Sequence, residues 1–210
     1  MHPSTTTLKF LSMIIFAFAI VQISMAGDPD ILTDFIVPPN VNTVDGNFFT
    51  FTGFRVLFSP NTTLSDFKVS KASKAEFATL DGQSVSYAVL EFPGGSINPP
   101  HTHPRSAELL FLIQGSLQVG FVDTTNKLFT QSLQPGDLFV FPKGLVHFQL
   151  NADPQKPAVA ISAFGSASAG TVSIPNTLFN TTIDVNVLAL AFKTDVATIQ
   201  TLQKGFAPKA

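Results

Sequence analysis

The chain contains no cysteine, no tryptophan and only one tyrosine. Without cysteine it forms no disulfide, offers no thiolate to a metal and carries no sulfur nucleophile. Stability must come instead from the hydrophobic core, from a bound metal or from partner subunits. The aromatic mass is almost wholly phenylalanine, with 22 residues. A ring without a polar handle needs no hydrogen-bond partner and fills core or subunit interface. Charge is scarce: 12% of residues are charged and the formal net charge is -2. There is no basic stripe, so nucleic acid is excluded as an expected partner. A soluble chain so poor in charge must hide apolar surface, and self-association is one way to hide it. Histidine is scarce too, with four in 210 residues: His2, His101, His103 and His147.

One long apolar run occurs, from Phe10 to Ile23, broken by Ser12 and Gln22. Lys9 precedes it and Ser24-Met25-Ala26 follows it. A positive charge, a short apolar run and a small-x-small tripeptide are the parts of a secretory signal peptide. The run is shorter than the ~20 residues that a bilayer span needs. The expectation is a signal peptide over 1–26, cleaved after Ala26, and a secreted single domain over 27–210 without a membrane span. About 180 residues suit one domain with a sizeable core. In a secreted chain, Asn61-Thr62-Thr63 and Asn180-Thr181-Thr182 are glycosylation sequons expected on surface loops.

The middle of the chain, from Phe48 to Ala163, reads as short β segments divided by turn residues. The segments are Val85–Phe92, Leu109–Ile113, Leu117–Val122, Leu128–Leu133, Leu138–Phe141, Val146–Leu150 and Ala158–Phe164. Gln114-Gly115-Ser116, Asp123 to Asn126, Pro135-Gly136-Asp137, Pro142-Lys143-Gly144 and Asn151 to Pro154 separate them. Even spacing of short strands points to an all-β sandwich or barrel. Leu109 to Ile113 does not alternate, so that strand is expected to be covered on both faces. Toward the C-terminus, Asp184 is placed to cap a short helix through Phe192. Thr194 is placed to cap a second, with Val196, Ile199 and Leu202 on one face and Gly205 as its stop. Neither helix has an evident packing neighbour in the sequence, which leaves a subunit boundary open to them.

His101 and His103 are two apart, so on a strand both imidazoles face the same side. Pro104 ends that strand, because proline is poorly tolerated inside a sheet. A turn over Pro104 to Ser106 then returns Glu108 to the same side from the next strand. His147 follows the turn Pro142-Lys143-Gly144 on a strand able to neighbour the first. Three imidazoles and one carboxylate suit Mn(II), Fe(II) or a similar ion with positions left for water or substrate. Structural zinc usually takes four tetrahedral ligands, often with thiolate.

These residues resemble a known family. Gly95-x5-His101-x-His103-x4-Glu108-x6-Gly115 is similar to the first cupin motif in its germin form. Gly136-x5-Pro142-x-Gly144-x2-His147-x3-Asn151 is similar to the second. Asp28-Pro29-Asp30, Asp34-Phe35 and Leu145 to Gln149 extend the likeness to germin-like proteins over most of the mature chain. The resemblance implies a cupin β jelly-roll barrel with short C-terminal helices. It implies manganese held by His101, His103, Glu108 and His147, with catalysis at that same site on a small anionic substrate. It also implies a homo-oligomer, a hexamer built as a trimer of dimers, in the plant extracellular space, with a role in cell wall or defence.

Two positions depart from the pattern. The cysteine pair usual near the mature N-terminus falls at Ile36 and Phe49, so two apolar residues are expected to pack where a bridge would sit. Of the two asparagines that orient oxalate in germin oxalate oxidases, one matches Asn98 and the other falls at Ala88. The favoured activity is therefore superoxide dismutation, with Asn98 and Gln149 as polar groups beside the open metal positions. Oxalate oxidation and a non-catalytic binding module are the alternatives.

Overall fold

The computed structural model describes residues 27–58 and 65–206. The signal segment, His2 and Asn61 lie outside the described residues. Ten strands there form two antiparallel five-stranded sheets. One sheet has the order β1 (Lys68–Ala72), β2 (Ser86–Phe92), β9 (Ala158–Phe164), β4 (Glu108–Gln114) and β7 (Leu138–Phe141). The other has the order β10 (Val172–Ser173), β3 (Ile97–Thr102), β8 (Val146–Leu150), β5 (Leu117–Val122) and β6 (Leu128–Leu133). The chain crosses repeatedly between the sheets, with β1–β2 and β5–β6 as hairpins within one sheet, which is the jelly-roll solution to burying two apolar faces at once. Seven strands coincide with the segments read from the sequence, within a residue at each end.

The core lies between the sheets. Phe92, Leu110, Leu112, Leu117, Val119, Leu133 and Phe141 form one buried cluster. Each fully buried side chain of this size contributes about 1.5–3 kcal/mol. β4 sends Glu108, Leu110 and Leu112 inward in alternation. The same row thus supplies a polar group at one end of the barrel and core leucines further in.

The outward row of β4 corrects an expectation. Leu109, Phe111 and Ile113 are 40–45% exposed, beside the exposed Leu138 and Val140 of β7. The strand is apolar on both sides, but the chain itself covers only one of them. β1 escaped the pattern reading because Lys68 and Lys71 interrupt its apolar positions. Lysine suits it as an edge strand, where charge discourages further pairing. The stretch from Phe48 is not strand: Gly53–Phe58 forms a 3-10 turn.

Three helices follow the barrel: α1 (Ile174–Phe179), α2 (Val185–Phe192) and α3 (Val196–Phe206). α1, six residues with Pro175 in its first turn, is too short to declare itself by periodicity. Asp184 caps α2 as expected, accepting from the backbone N–H groups of Asn186 and Val187. The cap of α3 is Asp195 and not Thr194: its carboxylate accepts from Thr198 N at 2.8 Å and from Thr198 Oγ1 at 2.9 Å. A carboxylate reaches two donors where a hydroxyl at Thr194 would start the helix one residue early. Gly205 does not stop α3, which continues through Phe206. The buried face of α3 centres on Ile199, whereas Leu202 is exposed. The helices do find neighbours in their own chain: Leu188, Ala189 and Ile199 pack with Leu178, Phe179, Val185 and Val196.

Near the N-terminus, Phe49 meets Phe35 edge to face at 5.1 Å and Phe48 at 4.9 Å. Phe35 is the neighbour of Ile36, so ring contacts tie together the two segments that a disulfide would have joined. Asp28 reaches further. Its carboxylate accepts from Ser166 Oγ and Ala167 N, both at 2.6 Å, and so anchors the segment after β9.

Asn151 is the buried polar knot of the barrel end. Its side-chain nitrogen is shared among the carbonyls of Phe92, Pro93 and Lys156, and its oxygen accepts from Asp153 N. Replacing it by alanine removes the partner of four buried or part-buried backbone groups, at a cost of about 1–3 kcal/mol. Asn151→Ala should lower the urea midpoint of unfolding accordingly; an unchanged midpoint would refute the assignment.

Candidate metal centre

The site forms where the two sheets face each other. His101 on β3 and His147 on β8 are direct cross-strand partners and so point to the same side. Pro99 and Pro100 precede His101 and donate nothing to the ladder, and the β3–β8 register shifts between Asn98 and His101. His103 follows the end of β3. Glu108 opens β4 in the opposite sheet and faces the histidines across the barrel. Ligand atoms of His101, His103, Glu108 and His147 all lie within 4.8 Å of one another, and all four residues are buried. The sequence-derived ligand set is therefore brought together whole.

Each ring is fixed from behind. Nδ1 of His101 lies 2.8 Å from Pro99 O, that of His103 2.5 Å from Gly170 O, and that of His147 2.8 Å from Leu145 O. A carbonyl only accepts, so each Nδ1 carries its proton and each neutral ring keeps an Nε2 lone pair facing inward. Aromatic rings form the walls. Phe141 stacks on His147 at 4.5 Å, and Phe164 meets His103 edge-on at 4.8 Å. Gly170 is needed where it stands. Its φ is +72°, and a Cβ there would come within 2.7 Å of the Arg105 guanidinium.

The inward atoms conflict unless a cation joins them. Glu108 Oε2 lies 3.0 Å from both His103 Nε2 and His147 Nε2. With Nδ1 already donating, either ring must become a buried imidazolium to donate again, or its lone pair must face a carboxylate oxygen. A divalent ion removes the conflict at every ligand at once, because it accepts lone pairs from all of them. The donor set therefore fits a metal: nitrogen and oxygen, no sulfur, and the second ring nitrogen of every histidine held by the protein.

The electrostatics agree. Burial, and then the neighbouring His147, push His101 down from 6.5 to about 4, so its ring stays neutral. Burial alone would raise the Glu108 carboxyl; a hydrogen bond from the His103 or His147 ring, open to the metal-free site only when that ring carries both protons, outweighs burial and holds the carboxyl well below the usual carboxylate range.

A cavity of about 500 Å³ opens onto the ligands, with Asn98 and Ala88 in its lining. Asn98 and Gln149, singled out from the sequence, lie side by side: Asn98 Nδ2 donates to Gln149 Oε1 at 2.7 Å. Gln149 Nε2 in turn points to Glu108 Oε1 at 3.4 Å. Ala88 is buried on β2 at the cavity wall. One residue escaped sequence reasoning. Ser162 Oγ donates to Glu108 Oε1 at 2.5 Å. A lone serine in an apolar strand gives no signal; only the register of β9 against β4 exposes it. Asn180 is exposed at the end of α1.

Metal-free protein should lose stability as pH falls. Between about 6.5 and about 4 the unfolded chain protonates His101 while the folded chain refuses the proton. Below the ordinary carboxylate value of 4.5, Glu108 adds a loss in the same direction. Thermal unfolding should therefore occur at lower temperature at about pH 4.5 than at about pH 7. Adding metal should raise the neutral-pH value by mass action. Equal melting temperatures with and without metal would refute the site.

Comparisons with known proteins place the chain. A model of the Cupin family matches residues 57–200. Germin-like protein 9-3 of Oryza sativa subsp. japonica is 61% identical over 194 residues, covering 90% of each chain. Germin-like protein subfamily 2 member 4 of Arabidopsis thaliana is 39% identical over 206 residues, covering 89% of this chain and 91% of that protein. Among solved structures, an oxalate oxidase in complex with the substrate analogue glycolate superposes with a TM-score of 0.76. It is 29% identical and covers 87% of this chain and 100% of its own. With the ligand motifs, the jelly roll and this degree of identity in agreement, the chain belongs to the germin-like proteins of the cupin family.

Proposed function

We propose that the protein is a secreted, manganese-binding germin-like protein that dismutes superoxide. The observation that carries this reading is the convergence of three Nε2 lone pairs and one carboxylate oxygen in a buried pocket with an open side. Bound there, manganese supplies one-electron redox chemistry between two oxidation states, which zinc lacks. Two superoxide ions and two protons then balance one dioxygen and one hydrogen peroxide. The chain's own residues bind the ion, hold the three rings in one tautomer and keep the far side of the site dry.

Oxalate oxidation asks for more, because an extended dianion must be oriented by donors. Ala88 supplies no donor, and Asn98 already spends an N–H on Gln149. Loss of a donor to developing charge commonly costs ~10² to 10³ in rate. A second reading rests on cavity size: about 500 Å³ exceeds what superoxide needs. It is a binding module that holds a carboxylate on the metal without turnover.

Manganese-loaded protein should dismute superoxide above the level of free Mn(II) and yield little or no peroxide from oxalate. His103→Ala should abolish metal retention and activity together, and Ala88→Asn should raise any trace of oxalate oxidation. Robust oxalate oxidation by the unmodified protein would overturn the role given to Ala88. Absence of superoxide activity in metal-loaded protein would favour the binding module.

Secretion and assembly belong to the same proposal. The signal peptide over 1–26 gives a mature chain from Gly27 in the extracellular space or cell wall, with glycan at Asn61 or Asn180. Among the described residues no helix is long and apolar enough to cross a membrane. The exposed row Leu109, Phe111, Ile113, Leu138 and Val140 supports burial against a second copy of the chain, as do Val187, Leu190 and Phe192 on α2. Light scattering should report an oligomer, a hexamer on the family pattern, and N-terminal sequencing should begin at Gly27. A metal-bound monomer at micromolar concentration, or an intact Met1 in extracellular material, would refute the respective point.

A further inference from the structure

We infer that Ser162 is a positioning residue that commits one oxygen of Glu108, so that the carboxylate meets the metal through Oε2 alone; this rests on the metal-binding reading above. The inward row of β9 is Ala158, Ala160 and Ser162, all fully buried. Ser162 stands between Ala88 of β2 and Leu110 of β4, its direct partners on either side. Alanine would fill that position as it does at 158 and 160. The hydroxyl is thus an addition to an apolar row, and a buried hydroxyl costs free energy unless it is hydrogen-bonded. Its partner is Glu108 Oε1, at 2.5 Å, the length of a hydrogen bond to an ionised oxygen.

The two oxygens of Glu108 are consequently unlike. Oε2 faces the ring nitrogens of His103 and His147 at 3.0 Å. Oε1 faces away, toward Ser162 and the longer 3.4 Å contact with Gln149 Nε2. Without the hydroxyl only that long amide contact restrains Oε1. The carboxylate is then free to turn and offer both oxygens to the ion, filling a position that substrate needs. Charge on the liganding oxygen would change as well, because a hydrogen bond to Oε1 draws electron density from the carboxylate. Ser162 touches neither substrate nor ion; it acts through Glu108. Outer partners of this type typically change metal affinity 10- to 100-fold when removed.

The test uses the full mature chain loaded with Mn(II), in four forms: unmodified, Ser162→Ala, Ser162→Thr and Ser162→Val. Threonine and valine have the same shape and differ only in the hydroxyl, which separates packing from hydrogen bonding. Alanine removes one oxygen and adds no bulk, so it reports even if the larger pair fails to fold. The readouts are Mn(II) affinity by chelator competition and the zero-field splitting in the Mn(II) electron paramagnetic resonance spectrum. Alanine and valine should bind about 10-fold more weakly or worse and should shift the splitting, while threonine should stay close to the unmodified protein. Alanine indistinguishable from serine in both readouts would overturn the inference while leaving the metal site standing. Threonine perturbed as much as valine would overturn it too, since shape alone would then explain the effect. An unmodified protein that retains no Mn(II), Fe(II) or Zn(II) would remove the metal reading and this inference with it.

Discussion

The barrel is organised around four lone-pair donors that cannot sit together unaided. Three imidazole nitrogens and a carboxylate oxygen meet in a buried space, two of the nitrogens 3.0 Å from that oxygen. Each fixed feature nearby answers this constraint. The β3–β8 register places His101 opposite His147. The Pro99, Leu145 and Gly170 carbonyls set the tautomers. The segment supplying Gly170 is held in turn by Arg105 N on Ala169 O and by Asp28 at Ser166 and Ala167. An N-terminal aspartate thus supports, at one remove, the orientation of a metal ligand. In a chain without cysteine, hydrogen bonds and ring contacts of this kind, not a disulfide, hold the N-terminal segment in place.

Hydrophobic and polar interiors are continuous along single strands. β4 carries Glu108 and then Leu110 and Leu112 on one face. β8 carries His147 and Gln149 inward. A strand that is straight and buried enough to pack the core therefore aims the ligand as well. Side-chain alternation is strict, so a one-residue slip in either strand would remove core and ligand together. This coupling explains why mutating a ligand, the core or the metal should act on one cooperative unit.

The sequence carried this site more openly than it carried the surface. Ligand spacing, proline stops and glycine turns are local signals, and His101, His103, Glu108 and His147 were all legible from them. Strands bounded by turn residues were legible for the same reason. β1 was not, because its lysines suit an edge, and edge status depends on neighbours far away in sequence. The outer row of β4 looked buried because apolar character alone does not say whether the chain's own elements cover it. The α3 cap was read one residue early, since Thr194 and Asp195 are both good caps and only geometry chooses between them. Ser162 was invisible: its meaning comes entirely from lying on β9 between Ala88 and Leu110, within reach of Glu108.

The substrate side of the site follows a different logic from the metal side. Metal ligands are constrained by charge and by lone-pair geometry, so little else can replace them. The cavity wall is freer. Alanine at 88 removes a donor without disturbing any ligand, and the Asn98 amide is turned to Gln149 rather than left waiting for a guest. Gln149 reaches on toward Glu108, so these amides belong to the network that supports the carboxylate as much as to the pocket. Polar groups bound to one another are held in one orientation and have fewer donors left for an extended dianion. They cost a small ion little, since it needs only access to the metal. The same barrel and ligands can therefore serve different chemistry, with the choice resting on a few wall residues such as Ala88.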